Sequence, residues 1–138
     1  MLGNHCIKTW SSQQGAYALS SAEAELYAMI EGVTRAKGIA NLARELGFTN
    51  LGKTVYLGTD SQAAKSFVSR RGLGKMRHLE IRDLWLQKEV NEGKVEVSKV
   101  RGDDNPADLM TKVLGISDIE ARLRYLSIRV VYASSGKV

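Results

Sequence analysis

The chain has 138 residues, 43% of them hydrophobic and 25% charged, with 20 Lys and Arg against 15 Asp and Glu for a net charge of +5. One domain with its own core is expected at that size, and the composition excludes wholesale disorder. The single cysteine, Cys6, excludes an internal disulfide and a multi-cysteine zinc site. No run approaches the roughly 20 apolar residues of a membrane span, and residues 1–10 lack a signal-peptide core. An intracellular, cytoplasmic domain with no membrane partner and no disulfide partner is the expectation.

In chain order, His5 to Gln14 reads as a strand, with Cys6, Lys8 and Trp10 on one face and Ile7 and Thr9 on the other. Ser20-Ser-Ala-Glu23 is an S-x-x-E capping box. Leu26, Met29, Ile30, Val33, Ala36 and Ala40 follow at helical spacing, so a helix is predicted to about Leu46, with Gly47 just past its end. Lys53 to Thr59 is a short, mostly apolar strand of the kind buried on both faces, and Asp60 stands at its carboxyl end. Ser61 to Arg70 reads as a short helix with Ala64, Phe67 and Val68 inward. His78 to Glu92 reads as a third helix, stopped by Gly93. Lys94 to Val100 alternates Val95 and Val97 with Glu96 and Ser98, a third strand. After the loop at Arg101 to Asn105, Asn105-Pro106 starts a helix that carries Asp108 and Lys112. Ser117-Asp-Ile-Glu120 is a second capping box opening a last helix, and Ile128 to Tyr132 reads as extended. The order β-α-β-α-α-β-α predicts an α/β sheet domain.

The charge is concentrated. The window Lys65 to Arg82 holds Lys65, Arg70, Arg71, Lys75, Arg77 and Arg82 against Glu80 alone, with His78 inside it and Gly72 and Gly74 breaking it into a loop. Such a loop can lie along a phosphate backbone. It can equally be a solvated helix end, since cations complement helix C-termini.

Three carboxylates fall at element junctions. Glu25 lies in the first turns of the first helix, Asp60 ends a strand, and Asp108 is in the first turn of the helix after the last strand. In open α/β sheets ligands bind beyond the carboxyl ends of strands. Three carboxylates gathered there would repel one another unless divalent ions sat between them. Mg²⁺ takes such oxygen ligands, and two shared ions make a phosphoryl-transfer site. Each residue also has a plain structural reading. Asp60 can cap a helix, Asp108 can complement a helix dipole, and helical angle alone does not separate Glu25 from Glu23.

The segments at these junctions change the weighting. Ala18-Leu-Ser-Ser-Ala-Glu-Ala-Glu-Leu-Tyr-Ala28, preceded by Trp10-Ser-Ser-Gln-Gln14, resembles the signature of the ribonuclease H domain in copia-type retrotransposon polyproteins. Thr59-Asp-Ser-Gln-Ala63, Lys75-Met-Arg-His-Leu-Glu-Ile-Arg82 and Asn105-Pro-Ala-Asp-Leu-Met-Thr-Lys112 resemble its later motifs in the same order. The resemblance covers about residues 6–114. It implies a ribonuclease H-like fold, a mixed sheet flanked by helices, over residues 1–116, with residues 117–138 as a C-terminal helix and tail. By motif position Glu25, Asp60 and Asp108 match the family's catalytic, metal-binding carboxylates, and Glu23 matches the capping residue. The implied cofactors are two Mg²⁺ (or Mn²⁺) ions, and the implied partner is an RNA–DNA hybrid whose RNA strand is hydrolysed. The upstream reverse transcriptase region of the same polyprotein is a second implied partner. Ser21, Ser61 and Gln62 are candidates for contact with the 2′-hydroxyls that tell RNA from DNA. Arg70, Arg71, Lys75, Arg77, His78, Arg82 and Lys112 are candidates for the hybrid's phosphates.

The chain departs from the family pattern in two places. No Asp or Glu precedes Glu23, so the family's first catalytic aspartate has no counterpart. Met1-Leu-Gly3 looks like the remnant of the second strand, so the first strand and most of the second are expected to be missing and the sheet incomplete. Either a gap beside the Lys53–Thr59 strand or a substitute segment, Ile128 to Tyr132, is expected there. The histidine that cellular ribonucleases H often carry before the last helix is also absent from Arg101 to Asn105, and His78 belongs to a different motif. A weak or inactive nuclease follows from this reading. A non-catalytic nucleic-acid-binding remnant and a plain structural α/β domain are the alternatives.

Overall fold

The computed structural model describes residues 1–3, 5–15, 17–72 and 84–129. They fall into two units: Gln14–Val100, and Met1–Gln13 together with Arg101–Val138.

The larger unit begins with the first capping box, which forms. Helix α1 spans Ser21–Glu45, and the Ser20 hydroxyl accepts from the Glu23 N–H at 3.2 Å. The Glu23 carboxylate reaches back to the Leu19 N–H at 2.8 Å, one residue beyond the usual box partner. Its other oxygen accepts from the Tyr27 hydroxyl at 2.8 Å. The predicted apolar stripe is the buried one, with Leu26, Met29, Val33 and Ala40 inside. The helix closes at Leu46, and Gly47 takes φ +91°, a conformation favouring glycine.

Strands β1 (Val55–Thr59) and β2 (Val95–Lys99) pair in parallel, from Val55 opposite Val95 to Thr59 opposite Lys99. A parallel connection needs a long crossover. It is supplied by α2 (Gln62–Val68), the segment after it and α3 (Trp85–Asn91). Ser61 caps α2, accepting from the Ala64 N–H at 3.2 Å. Leu26, Met29 and Val33 of α1 meet Ala64, Phe67 and Val68 of α2, Leu86 of α3 and Val95 of β2 in one core. Each large side chain buried there contributes about 1.5–3 kcal/mol.

Two glycines fix how α1 crosses β1. A Cβ on Gly32 would meet Leu57 Cδ1 at 3.8 Å, and one on Gly52, at φ +72°, would collide with Ala40. Advancing along the chain into β1, from 52 to 57, therefore means moving back along α1, from 40 to 32. Helix and strand run antiparallel, and the start of α1 lies toward the carboxyl end of β1.

The smaller unit holds two short 3₁₀ segments, Gly102–Asp104 and Pro106–Met110, and helix α4 (Ile116–Tyr125). Asn105 caps the second segment as expected, its side-chain oxygen accepting from the Ala107 N–H at 3.1 Å. Arg122 of α4 is buried and donates to the carbonyls of Asn105 (3.1 Å), Asp118 (3.3 Å) and Gly102 (3.5 Å).

Several expectations are corrected. Residues 5–14 are not a strand: the one ladder contact is an isolated antiparallel bridge between Leu2 and His5. An extended segment is a strand only if its N–H and C=O groups pair with a second strand, and 6–14 form no ladder among the described residues. β1 is not buried on both faces, since Tyr56 is 77% exposed. Its ladder neighbour among the described residues is β2 alone, so the sheet described is two-stranded. The helix begun by Pro106 is a 3₁₀ segment that ends before Lys112. Helix α4 starts at Ile116, so Ser117 lies inside its first turn and Gly115 takes the cap position without a side-chain bond. Ile128 and Arg129 have no regular structure, while 130–132 lie outside the described residues, as does the segment 73–83 that includes the predicted start of the third helix.

Candidate functional site

Glu25 and Asp60 come to the same end of the larger unit. Glu25 precedes Gly32 by seven helical residues, about 10 Å. Asp60 follows Leu57 by three extended residues, also about 10 Å. Because α1 and β1 are antiparallel, both steps lead in the same direction, beyond the carboxyl end of the parallel strands, where ligands bind in open α/β sheets. Ser21, in the first turn of α1, and Ser61 and Gln62, which open α2, belong to this end. Glu25 and Asp60 are half-buried, and Ser21 and Gln62 are exposed.

Local bonds hold this end in place. The Asp60 carbonyl accepts from Lys99 Nζ at 2.8 Å, tying the end of β1 to the end of β2. The Ser61 N–H donates to Thr59 Oγ1 at 3.1 Å. The Ser61 hydroxyl is spent on capping α2, and Gln62 Nε2 donates to Ser66 Oγ at 3.3 Å. Glu23 is 2% exposed and bonds Leu19 and Tyr27, whereas Glu25 is half-buried.

Asp108 belongs to the smaller unit, where it is 6% exposed. One oxygen pairs with Lys112 at 2.9 Å and the other with Arg122 at 3.5 Å. Lys112, expected at the hybrid's phosphates, is therefore engaged with a candidate catalytic carboxylate. Among the described residues, neither unit contains a group of three or more His, Cys, Asp or Glu side chains placed to hold a metal ion. Among the described residues, neither unit by itself supplies the donor set of a two-metal site.

Of the expected phosphate contacts, Arg70 and Arg71 are exposed at the end of α2, with the Arg70 guanidinium 4.9 Å from the Phe67 ring centre. Lys75, Arg77, His78 and Arg82 lie outside the described residues. The loop's entry is held by a residue that sequence reasoning missed. Buried Gln87 donates to the carbonyls of Phe67 (2.9 Å) and Gly72 (3.0 Å) and accepts from the Gly72 N–H at 3.0 Å. The signal in the sequence was a polar residue on the inward stripe of a helix, three after Leu84. Arg122 was missed for the opposite reason: a basic residue in a helix's last turn reads as dipole complement.

Lys94 bonds Glu92 at 2.6 Å, which lowers the Glu92 carboxyl from its ordinary value and raises the Lys94 ammonium. Both side chains are open to solvent, which screens the pair.

The chain is similar to the retrovirus-related Pol polyprotein from transposon TNT 1-94 of Nicotiana tabacum, with 31% identity over 109 residues and 77% of this chain covered. The match spans 8% of that polyprotein's length. It supports a retrotransposon Pol origin for this chain. No family model matches, and no solved structure matches.

Proposed function

We propose that this chain, as kin of a retrotransposon Pol polyprotein segment, is a ribonuclease H-type portion that acts on the RNA strand of RNA–DNA hybrids. The observation that carries the reading is the antiparallel packing of α1 on β1, which brings Glu25 and Asp60 to the carboxyl end of the sheet. Two carboxylates at that end suit phosphodiester chemistry, and Asp108 answers by motif position alone to the family's third acidic residue. Glu25 and Asp60 would be the residues at that end to hold a Mg²⁺ or Mn²⁺ ion, which would supply activation of a water and stabilisation of the leaving oxygen. Ser21 and Gln62 flank the acidic end with polar groups suited to a 2′-hydroxyl. Arg70 and Arg71 begin the basic stretch that meets the phosphates.

The chain alone is a poor nuclease on this reading. No acidic residue precedes Glu23, and β1 has one ladder neighbour among the described residues. A preceding strand that pairs with β1 and brings a carboxylate would complete both sheet and site. A second reading, hybrid binding without cleavage, is favoured by the pairing of both Asp108 oxygens with cations.

The test is cleavage of a labelled RNA–DNA hybrid with Mg²⁺, comparing this chain with one extended by an upstream, aspartate-bearing strand. The expected result is weak cleavage by the first and strong cleavage by the second, abolished by Glu25→Gln or Asp60→Asn. Hybrid binding with no cleavage by either chain would establish the second reading, and neither binding nor cleavage would overturn both.

A further inference from the structure

The end of the larger unit opposite the carboxylates carries a basic cleft of about 240 Å³ between α1 and the starts of both strands. Lys37, Asn41 and Arg44 line it from one face of α1, at i, i+4 and i+7. Lys53, two residues before β1, and Lys94, immediately before β2, line it from the sheet. The register of Val55 on Val95 sets these two approaches side by side, since paired strands lie about 4.8 Å apart. Gly52 closes the floor, because its backbone sits so near Ala40 that no side chain fits between them.

Four cations line the cleft and no carboxylate does. Two of them are compensated from neighbouring positions. Lys37 pairs with the buried Glu89 and lies 5.3 Å from the Trp85 ring centre, and Lys94 pairs with Glu92. Arg44 and Lys53 have no carboxylate partner among the described residues, so two positive charges remain uncompensated around one concavity. Arg44 complements the negative end of α1. Lys53 belongs to no helix, and no such role accounts for it.

We propose that this cleft binds a phosphate monoester, the terminal phosphate of a nucleotide or of a nucleic-acid strand. A phosphate monoester carries about −1.5 to −2 charges near neutral pH and several strong acceptor oxygens, which matches two free cations and the Asn41 amide. A phosphodiester, with one charge, leaves one cation unmatched. Guanidinium and ammonium donors make charge-assisted bonds to such oxygens. The site is at the far end of the unit from Glu25 and Asp60 and does not rest on the nuclease reading.

The experiment measures binding, without divalent metal, of two 3′-labelled single-stranded oligonucleotides of one sequence, one with a 5′-phosphate and one with a 5′-hydroxyl. The phosphorylated strand is expected to bind about fivefold or more tightly, the size of one charge-assisted contact. Arg44→Gln with Lys53→Gln should erase that difference. Lys8→Gln with Arg101→Gln, which removes the same charge from exposed positions elsewhere, should keep it, with circular dichroism showing both variants folded. Competition by a 5′-mononucleotide identifies a free nucleotide as sufficient, whereas preference for the phosphorylated strand without such competition assigns the cleft to strand ends. Equal affinity for the two oligonucleotides, or a difference that survives in the Arg44→Gln, Lys53→Gln variant, would overturn the proposal.

Discussion

The guanidinium of Arg122 reaches the carboxylate of Asp108 at 3.5 Å, with both side chains less than one-tenth exposed. The same guanidinium also serves the carbonyls of Gly102, Asn105 and Asp118, a set of directions that no other side chain matches. α4 therefore fastens the turn that carries Asp108. Removing one member of a buried pair typically costs about 3–5 kcal/mol, here reduced for Asp108 by its second partner, Lys112.

Arg122→Leu is expected to destabilise the chain by roughly 2–4 kcal/mol, and Asp108→Asn by less. Asp108→Asn leaves Arg122 with its three carbonyls, whereas Arg122→Leu takes the side-chain donor from those carbonyls, which keep their backbone donors, and leaves one oxygen of a buried carboxylate unpaired. Thermal denaturation checks the order. Equal losses would show that the carbonyl bonds contribute nothing.

The two glutamates of α1 should separate by phenotype. Glu23 is buried and bonds Leu19 and Tyr27, so Glu23→Ala should cost about 2–3 kcal/mol. Ser20→Ala, which removes the helix cap, should cost about 1 kcal/mol. Glu25→Gln should remove hybrid cleavage by the upstream-extended chain. Loss of stability without loss of cleavage in Glu25→Gln would exchange the two roles.

Gly52 and Gly47 both have positive φ, but differ in their surroundings. Gly47→Ala meets open space and should cost about 1 kcal/mol of backbone strain. Gly52→Ala adds a collision with Ala40 and should cost at least about 2 kcal/mol. Urea denaturation of the two variants gives the comparison. Similar midpoints would mean that α1 shifts away from residue 52 without loss, which would also loosen the packing that aligns Glu25 with Asp60.

The basic window is expected to carry most hybrid affinity. Replacing Arg71, Lys75 and Arg77 by Glu should weaken hybrid binding and flatten its dependence on salt, by about 0.9 in logarithmic slope for each phosphate no longer neutralised. Gln87→Leu, which frees Gly72, should weaken binding without changing that slope by as much, because no charge is removed. Binding titrations at several salt concentrations read both quantities. An unchanged slope in the triple variant would take the window off the binding surface.

Local physics made much of this chain legible without coordinates. A Ser followed three residues later by Glu must choose between water and the first N–H groups of a helix, and at Ser20 that choice is local, so α1 begins where the pattern says. The same holds for Ser61 on α2, for Asn105 before Pro106, and for the alternation Val95, Val97 in β2. At Ser117 the same four-residue pattern failed, because helix α4 starts two residues earlier than a Ser117 cap would place it, at Ile116. Strands depend on partners that sequence does not supply. Residues 6–14 alternate like a strand yet have no ladder among the described residues, and β1 is apolar yet has one face open, with Tyr56 exposed on it. The positions of Glu25 and Asp60 at element junctions were readable from the chain, whereas their arrival at one end followed from α1 running antiparallel to β1. That direction shows where Gly32 meets Leu57 and Gly52 meets Ala40, contacts between residues distant in sequence that no local pattern specifies.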